Sequence, residues 1–565
     1  MSSNSCFVIL PIHLFDISIL QQTLENIKTQ NEKNENNNNN EITTIYIIEE
    51  PVYFGHRSNK KNETLNFNKL KLIYHHATLN YYCNYLEAAF SKSSTKKILT
   101  NKGSLEKGGS KGTQVPFITN INYSTLCSSK GYAQIKSHSH IYMYNPVDTF
   151  LEAKYAKLFG KKLEYIESPL FLCNSIDLQS YHNSKPKATR DRSYNHASFY
   201  KWQRERLNIL STSKTYDTEN RNMMPLDTTV PPLPQNDSSD PTIRGYLLEA
   251  IEYVNKHFPQ NMQPLHDPPK PITPESIHFP ITHKSSALWL ENFCKNRFAD
   301  FGKYEDSIDS KGRNFLFHST ISPMLNIGLL TPMQVITTVT KYYESHKAQI
   351  GIANYEGFIR QVIGWREYQR YIYVYAGEVM RKSNHFGNNM RLGESWYYAK
   401  TGMKPVDDAI RMAINDGYIH HILRLMVVGN FMNLVGIHPD DVYKWFMEFS
   451  LDSYDWVMIG NVYSMTLWAD GGMTMRKPYI SGSGYIMKMS NYGKEKKEKK
   501  EGEGSQGLSW QEKWDLVFHN YINRNSDKLS RTYYNGVVKA WERKGKAEKD
   551  KEIKMSDEII KSITV

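Results

Sequence analysis

The chain is predicted to fold as an α/β N-terminal domain with a parallel, Rossmann-like sheet, followed by an all-α C-terminal domain. Three observations support this. β-Branched apolar runs alternate with helical patterns up to about residue 185, a stretch rich in Pro, Asn and Asp follows, and beyond Pro280 segment after segment repeats its apolar residues at i, i+3, i+4 and i+7. At 565 residues the chain is too long for one core. The expected boundaries are 1–185 for the α/β domain, 186–278 for a helix-bearing linker and 279–565 for the helical domain, with an insertion at 493–507.

Cys6–Leu10 (CFVIL) and Ile45–Ile48 (IYII) have the length and β-branching of buried strands, and Ile17–Ile27 between them has helical spacing. The tract Asn31–Glu41 reads as a solvated insertion. Leu70–Tyr74 (LKLIY) reads as another strand, Leu79–Phe90 as a helix, and Lys92–Thr113 as a second insertion. A strand region at Ile135–Tyr144, a helix over Pro146–Gly160 ending in glycine, and a strand over Leu163–Ser168 complete the predicted α/β set. Phe199–Leu210 is a basic amphipathic helix, and Thr212–Pro274 is a linker interrupted by one helix, Ile243–Phe258. In the helical half, Pro332 and Pro439 mark first turns, Asp440 and Asp441 suit a helix N-terminus, and Gly417 and Gly436 suit C-terminal ends.

Composition narrows the function classes. The balance of 70 Lys+Arg against 58 Asp+Glu, a net charge of +12, suits an anionic partner such as DNA, although much of the excess lies in low-complexity runs. The five cysteines show no CxxC spacing, which argues against a disulfide framework, a zinc site or a thiolate cluster and fits a reducing compartment. The apolar run CFVILPIHLF is short and lacks a basic flank, so it reads as a buried strand and not as a leader or a membrane span. A soluble, intracellular monomer is expected.

The chemistry concentrates between Gly417 and Tyr485, where His420, His421, several tryptophans and buried-looking carboxylates lie in one apolar stretch. Polar groups among apolar residues cost free energy unless paired, so the mixture points to a ligand. Eight of the ten Trp fall after residue 360. Core packing accounts for most of them, yet Trp365, Trp445 and Trp456 lie in segments that also carry Arg360, Arg366, Glu367, Asp452 and Asp455. Two adjacent histidines could ligate zinc. Neighbours in a helix, however, diverge by about 100°, so no metal site is expected.

The motifs FGKYED (Phe301–Asp306), HSTISPMLNIGLLTP (His318–Pro332), EGFIRQVIGWREY (Glu356–Tyr368), GYIHHILRLMVVGNF (Gly417–Phe431) and DWV..GN......WADGG....KPYISGSGYI (Asp455–Ile486) resemble the photolyase/cryptochrome superfamily. Within it they look most like the deoxyribodipyrimidine photolyase-related branch, the iron–sulfur bacterial cryptochromes and (6-4) photolyases. Weaker likeness extends to EEPVYF (Glu49–Phe54), SPLFLC (Ser168–Cys173), FYKWQRERLNIL and YDTENRN (Tyr216–Asn222), and to SDKLSRTYYNGVVKAWER in the tail.

The resemblance implies an N-terminal antenna domain with a lumazine-type chromophore, a helical FAD-binding domain, and blue-light repair of UV-damaged DNA. Ser319, Thr320 and Ser322 match a loop that caps FAD phosphates, where a hydroxyl run by itself would be a plain helix cap. Tyr304 matches a motif approaching the same cofactor, and Trp365 and Glu367 match the WREY segment beside flavin and lesion. Asp452, Asp455, Trp456 and Asn461 match positions around the isoalloxazine. His420 and His421 match a pair that faces the lesion and supplies a proton, and Trp445 and Trp396 match an electron relay.

Three departures stand out. No cysteine follows Cys294, and Pro405, Gly493, Lys496 and the stretch Gln506–Leu508 occupy the positions of the four cluster cysteines, so no iron–sulfur cluster is expected. Phe446 replaces a relay tyrosine, and Met458 replaces a carboxylate near the flavin. The expected function is therefore a (6-4) photolyase, with a cryptochrome-like photoreceptor and a flavin-free relic as alternatives, and a cyclobutane dimer as an alternative substrate.

Overall fold

The computed structural model describes residues 4–33, 42–57, 64–100, 116–211, 214–236, 238–494 and 507–565. Five strands form one parallel sheet: β1 (Ser5–Ile9), β2 (Ile42–Ile48), β3 (Phe117–Ile121), β4 (His140–Tyr144) and β5 (Leu163–Ile166), in the order β3-β2-β1-β4-β5. The sheet is parallel, as the sequence predicts, and its order is Rossmann-like, with the chain reversing direction across the sheet between β1 and β4. Phe7 at the centre of β1 pairs with Ile45 on one side and Tyr142 on the other. All five residues of β1 are buried, so its apolar run has no polar alternation.

The helices of this region are α1 (Ile17–Lys33), α2 (Lys69–Thr100), α3 (Thr149–Phe159), α4 (His196–Leu207) and α5 (Pro241–His257). Asp148 accepts from Phe150 N and Leu151 N at the start of α3, and Gly160 ends it at φ 57°. Two predictions fail here. LKLIY is the first turn and a half of α2 and not a strand. Leu70, Lys71, Leu72, Ile73 and Tyr74 are all buried, because α5 packs on this helix from the linker and the helical region covers it from the other side. A helix buried on every face loses its 3.6-residue rhythm and reads as a strand. The region Ile135–Tyr144 begins as a helical turn, Ala133–Lys136, with the strand confined to its end. Edge strand β3 was missed because FITNI carries polar residues and leaves Phe117 exposed.

The predicted insertions fall largely outside the described residues. Asn31–Lys33 finish α1 and the rest of the Asn tract is not described. Likewise the backbone of Lys92–Thr100 continues α2, and most of the Lys-rich stretch after Gly493 is not described.

After Pro280 the described elements are helical apart from isolated bridges: α6 (His283–Asn296), α7 (Pro332–Ser345), α8 (Glu367–Arg381), α9 (Lys404–Asp416), α10 (Pro439–Phe449), α11 (Trp510–Arg524) and α12 (Lys546–Ile563), with shorter turns between. Pro332 and Pro439 open their helices, and Gly417 and Gly436 close theirs at φ 62° and 90°. Three π-helical turns were not foreseen: Arg360–Arg366, Leu423–Gly429 and Gly460–Thr466. Each sits inside one of the quoted motifs, and such turns often mark functional sites. A side-chain carbon at Gly429 would strike Thr466, and one at Gly460 would strike Gln369, so glycine allows these turns to approach each other and α8.

Against the expectation that the chain is too long for one core, the main apolar core is continuous through both regions, because the sheet region and the helical region bury apolar side chains against each other; Met224, Tyr304, Leu316 and Phe317 form a small separate cluster. No described helix is long and apolar enough to cross a membrane.

Candidate functional site

His420 and His421 do not lie within a helix as expected. His420 is the last residue before the helical turn and His421 the first inside it, so the divergence of helical neighbours does not apply. The backbone break comes from Gly417, which ends α9 in the left-handed conformation two residues before Ile419. A third imidazole, His318, completes the group. Its ring stacks on His420 with centroids 4.6 Å apart and 16° between planes, and lies 5.6 Å from His421. His318 and His420 are buried, while the His421 side chain is 51% exposed.

Carboxylates and arginines surround the exposed edge. His421 Nε2 lies 3.2 Å from Asp306 Oδ1. Arg221 reaches Asp217 at 2.6 Å, Glu305 at 3.0 Å and Asp306 at 3.9 Å, and Arg360 also pairs with Asp217. Tyr479 and Tyr485 lie within electrostatic reach of Arg221 and Asp306. Burial lifts Glu305 to about 7, against the opposing pull of Arg221 and His421. Burial also holds His318 and His420 well below the ordinary histidine value. His318 Nε2, His420 Nδ1 and Glu305 Oε2 are buried without a hydrogen-bond partner, while Glu305 Oε1 is held by the Arg221 ion pair.

Arg424, in the π-helical turn that follows, ties the histidines to the Asp452 segment. Its Nε donates to Ile419 O at 2.6 Å, and its two Nη groups donate to Asp452 at 2.9 and 3.2 Å. Ser322 Oγ donates to the same carboxylate at 2.6 Å. Thr320 Oγ1 accepts from Trp289 Nε1 at 3.1 Å, and its own hydroxyl bonds the carbonyl of half-buried Ser319. Tyr304 packs on Phe317, 5.4 Å between centroids, under the Lys303 ammonium.

The other predicted residues divide. Asn461 accepts from Gln369 Nε2 at 3.1 Å, leaving Gln369 Oε1 buried and unpartnered. Trp365 stacks on His196 at 3.7 Å. Trp456 lies edge-on to Phe171 with the Arg366 guanidinium 4.9 Å from its ring. Glu367 and Asp455 grip the N-terminal region. Glu367 accepts from Leu172 N at 2.9 Å and Cys173 N at 3.0 Å. Asp455 accepts from Tyr373 and Arg381, each at 2.6 Å, and from Tyr443, and Arg57 lies 3.0 Å away. Burial pushes Asp455 up, but Arg57 and Arg381 outweigh it and hold the carboxyl well below the usual range.

Trp445 and Trp396 are both wholly buried, and Trp445 Nε1 donates to Trp396 O at 3.1 Å. From Trp396 an aromatic series leads through Phe431 (6.0 Å) and Trp514 (4.7 Å) to half-buried Trp510 (6.3 Å). Phe446 lies edge-on to Trp445 at 5.0 Å.

Sequence comparison agrees with this architecture. Residues 19–267 match the family described as deoxyribodipyrimidine photo-lyase-related protein, and residues 358–498 match the FAD binding domain of DNA photolyase. The chain belongs to the photolyase/cryptochrome superfamily. Among photolyase relatives, a (6-4) photolyase of Agrobacterium fabrum is 37% identical over 244 residues, 43% of this chain and 46% of that protein. The matched part is thus under half of that relative's length. An uncharacterized protein of Acanthamoeba polyphaga mimivirus is 56% identical over 104 residues, 18% of this chain and 75% of that protein. A cryptochrome structure from Synechocystis shares the fold over 96% of this chain and 99% of its own, with a TM-score of 0.50 at 12% identity.

Sequence reasoning missed His318, Glu305, Asp306, Arg221 and Arg424 as site residues. All five lie inside quoted motifs, so the motifs marked the right segments while the individual side chains had to be found in space.

Proposed function

We propose that this photolyase-superfamily chain is a light-driven DNA-repair flavoprotein of the (6-4) type, a deoxyribodipyrimidine photolyase-type lyase. The observation that carries the reading is the imidazole pair His420–His421 beside Asp306, in a chain whose residues 358–498 match an FAD-binding domain. The 37%-identical relative named as a (6-4) photolyase adds support.

The residues present fit FAD. Arg366 Nε, Gln369 Oε1 and Asn314 Oδ1 are buried in this region without partners, as donors and acceptors awaiting a polar ligand would be. Tyr304, Ser319, Thr320, Ser322, Trp365, Asp452, Trp456 and Asn461 are assigned to holding the cofactor. Glu367 and Asp455 act by fixing the N-terminal region against it. When bound and reduced, FAD supplies an electron under blue light.

The chain's own residues do the remainder. His421 and His420 offer the nitrogen from which a proton reaches the damaged base, and Asp306 orients His421. Arg221 and Arg360 line that edge, each already paired with a carboxylate, so the phosphates of an extruded dinucleotide would have to exchange with Asp217 or Asp306 to meet them. Trp445 and Trp396, continued by Phe431, Trp514 and Trp510, form the relay to the surface. No iron–sulfur cluster is proposed, because no cysteine follows Cys294. The antenna chromophore, a lumazine type by family likeness, is assigned to the N-terminal region.

A second reading, a cryptochrome-like photoreceptor that binds FAD without repair, is favoured by Phe446 at the relay, since phenylalanine has no phenolic proton to lose. Blue-light repair of an oligonucleotide with one defined (6-4) photoproduct separates the two. The wild-type chain repairs it, and His421→Ala lowers the rate by about 100-fold, the low end for loss of a general acid, while flavin absorption is retained. Repair unchanged in His421→Ala removes the acid role, and no repair by the wild-type chain favours the photoreceptor.

A further inference from the structure

The three histidines hold a feature that the repair reading leaves unexplained. Repair draws on His420 and His421, yet it gives no part to His318, which stacks face to face on His420, and His318 Nε2 and His420 Nδ1 lack any hydrogen-bond partner. A buried polar atom without a partner destabilises the fold, so these two nitrogens are positions that a ligand would satisfy. One ligand atom from each of His318, His420 and His421 lies within 4.8 Å of the other two.

We propose that His318, His420 and His421 form a binding site for a borderline divalent d-block ion, with Zn2+ as the ligand to test. The donor set decides the class. Three imidazole nitrogens suit Zn2+ and its d-block neighbours, whereas Mg2+ and Ca2+ require oxygen ligands. Three protein ligands leave a fourth tetrahedral position for water or for an oxygen of a bound molecule. Asp306, against His421 Nε2 at 3.2 Å, is the carboxylate that metal-ligating histidines ordinarily carry on their other nitrogen.

The cluster is slightly open for an ion. Nitrogens about a Zn2+ at ~2.0–2.1 Å stand roughly 3.3 Å apart in a tetrahedron, so the group must contract. His421 can do this, being half exposed and at the start of its helical turn, while His318 and His420 are pinned by burial. The expected obstacle to a shared ion, the divergence of helical neighbours, disappears with the pair straddling the helix start. Resting on the repair reading, one consequence follows: the ion and the damaged base compete for the same nitrogens, so Zn2+ acts as a reversible brake.

The test is equilibrium dialysis of the untagged, full-length protein against Zn2+, in the dark and without DNA, with metal and protein quantified. One Zn2+ per chain is expected, weakened at least about tenfold in His421→Ala and in His318→Ala, a loss of the size seen for perturbed metal sites. His421 is exposed, so its variant remains informative should His318→Ala fail to fold. No stoichiometric uptake, uptake unchanged in His421→Ala, or equal uptake of Mg2+ would each overturn the site. Repair measured with and without Zn2+ separates the two proposals: uptake without any repair sinks the photolyase reading alone, and Zn2+-insensitive repair without uptake sinks the metal site alone.

Discussion

The Asp455 cluster and the His420 cluster contain similar residues built on opposite plans. Around Asp455 the charges are matched: Arg57, Arg381, Tyr373 and Tyr443 close on the carboxylate, and Glu367 is likewise filled by two backbone N–H groups. Around His420, the nitrogens His318 Nε2 and His420 Nδ1 and the oxygen Glu305 Oε2 are buried with no hydrogen bond. A saturated polar cluster has nothing left for a ligand, so it works for the fold, here by docking the sheet region onto the helical region. An unsaturated one is stable enough to exist only because the rest of the fold offsets its cost, and its free atoms point to chemistry.

Removing a partner from the saturated cluster should produce the largest effect. Asp455→Ala takes the carboxylate from between Arg57, which keeps Asp148 at 3.3 Å, and the partly exposed Arg381, and should cost about 3 kcal/mol, the low end for breaking a buried pair. Urea unfolding measures it. A loss under about 1 kcal/mol would show that the cluster is not what docks the two regions.

Glu448 is an intermediate case. One oxygen accepts from Asn66 N at 2.7 Å, and the other has no partner. Burial raises its carboxyl from 4.5 to about 7. Between those values the folded state binds more proton than the unfolded state, so this group's contribution is full below about pH 4.5 and is lost as pH rises through about 7. Glu448→Gln should therefore match wild type in acid and gain on it with rising pH, by about 3 kcal/mol at pH 8. Unfolding midpoints across pH check the sign, and a gap that shrinks with pH refutes it. Glu367→Gln should cost less, about 1–3 kcal/mol, because one of two backbone donors loses its acceptor.

These clusters explain what was legible in the sequence and what was not. The parallel α/β class followed from alternating strands and helices, and α7, α9 and α10 from proline, glycine and acidic end signals, because such signals are local. LKLIY misled because a helix covered on all sides has no polar face to set its period. Asp455 and Asp452 look alike in SLDSYDW, three residues apart, yet one meets Arg57 from the sheet region and the other Arg424 from the histidine segment. Partners 28 to nearly 400 positions away decide which parts of the fold each carboxylate ties together, and no local pattern encodes them. His318 was likewise hidden, 102 positions before His420, although it opened a motif already singled out.

The smallest expected change sharpens the contrast most. His421 is half exposed, and its one ionic contact is Asp306 at 3.2 Å, so a surface-like cost within about 0.5 kcal/mol is expected for His421→Ala. The same substitution is expected to take away most of the repair activity. Stability and function would then separate between the clusters: Asp455→Ala weakens the fold, and His421→Ala keeps it and loses the chemistry. Should His421→Ala instead unfold by several kcal/mol, the imidazole cluster would be part of the scaffold. The unpartnered nitrogens of His318 and His420 would then lose their standing as a sign of a ligand, because the cluster would be held by packing of its rings, His318 on His420 at 4.6 Å, and not kept open for an ion or a base.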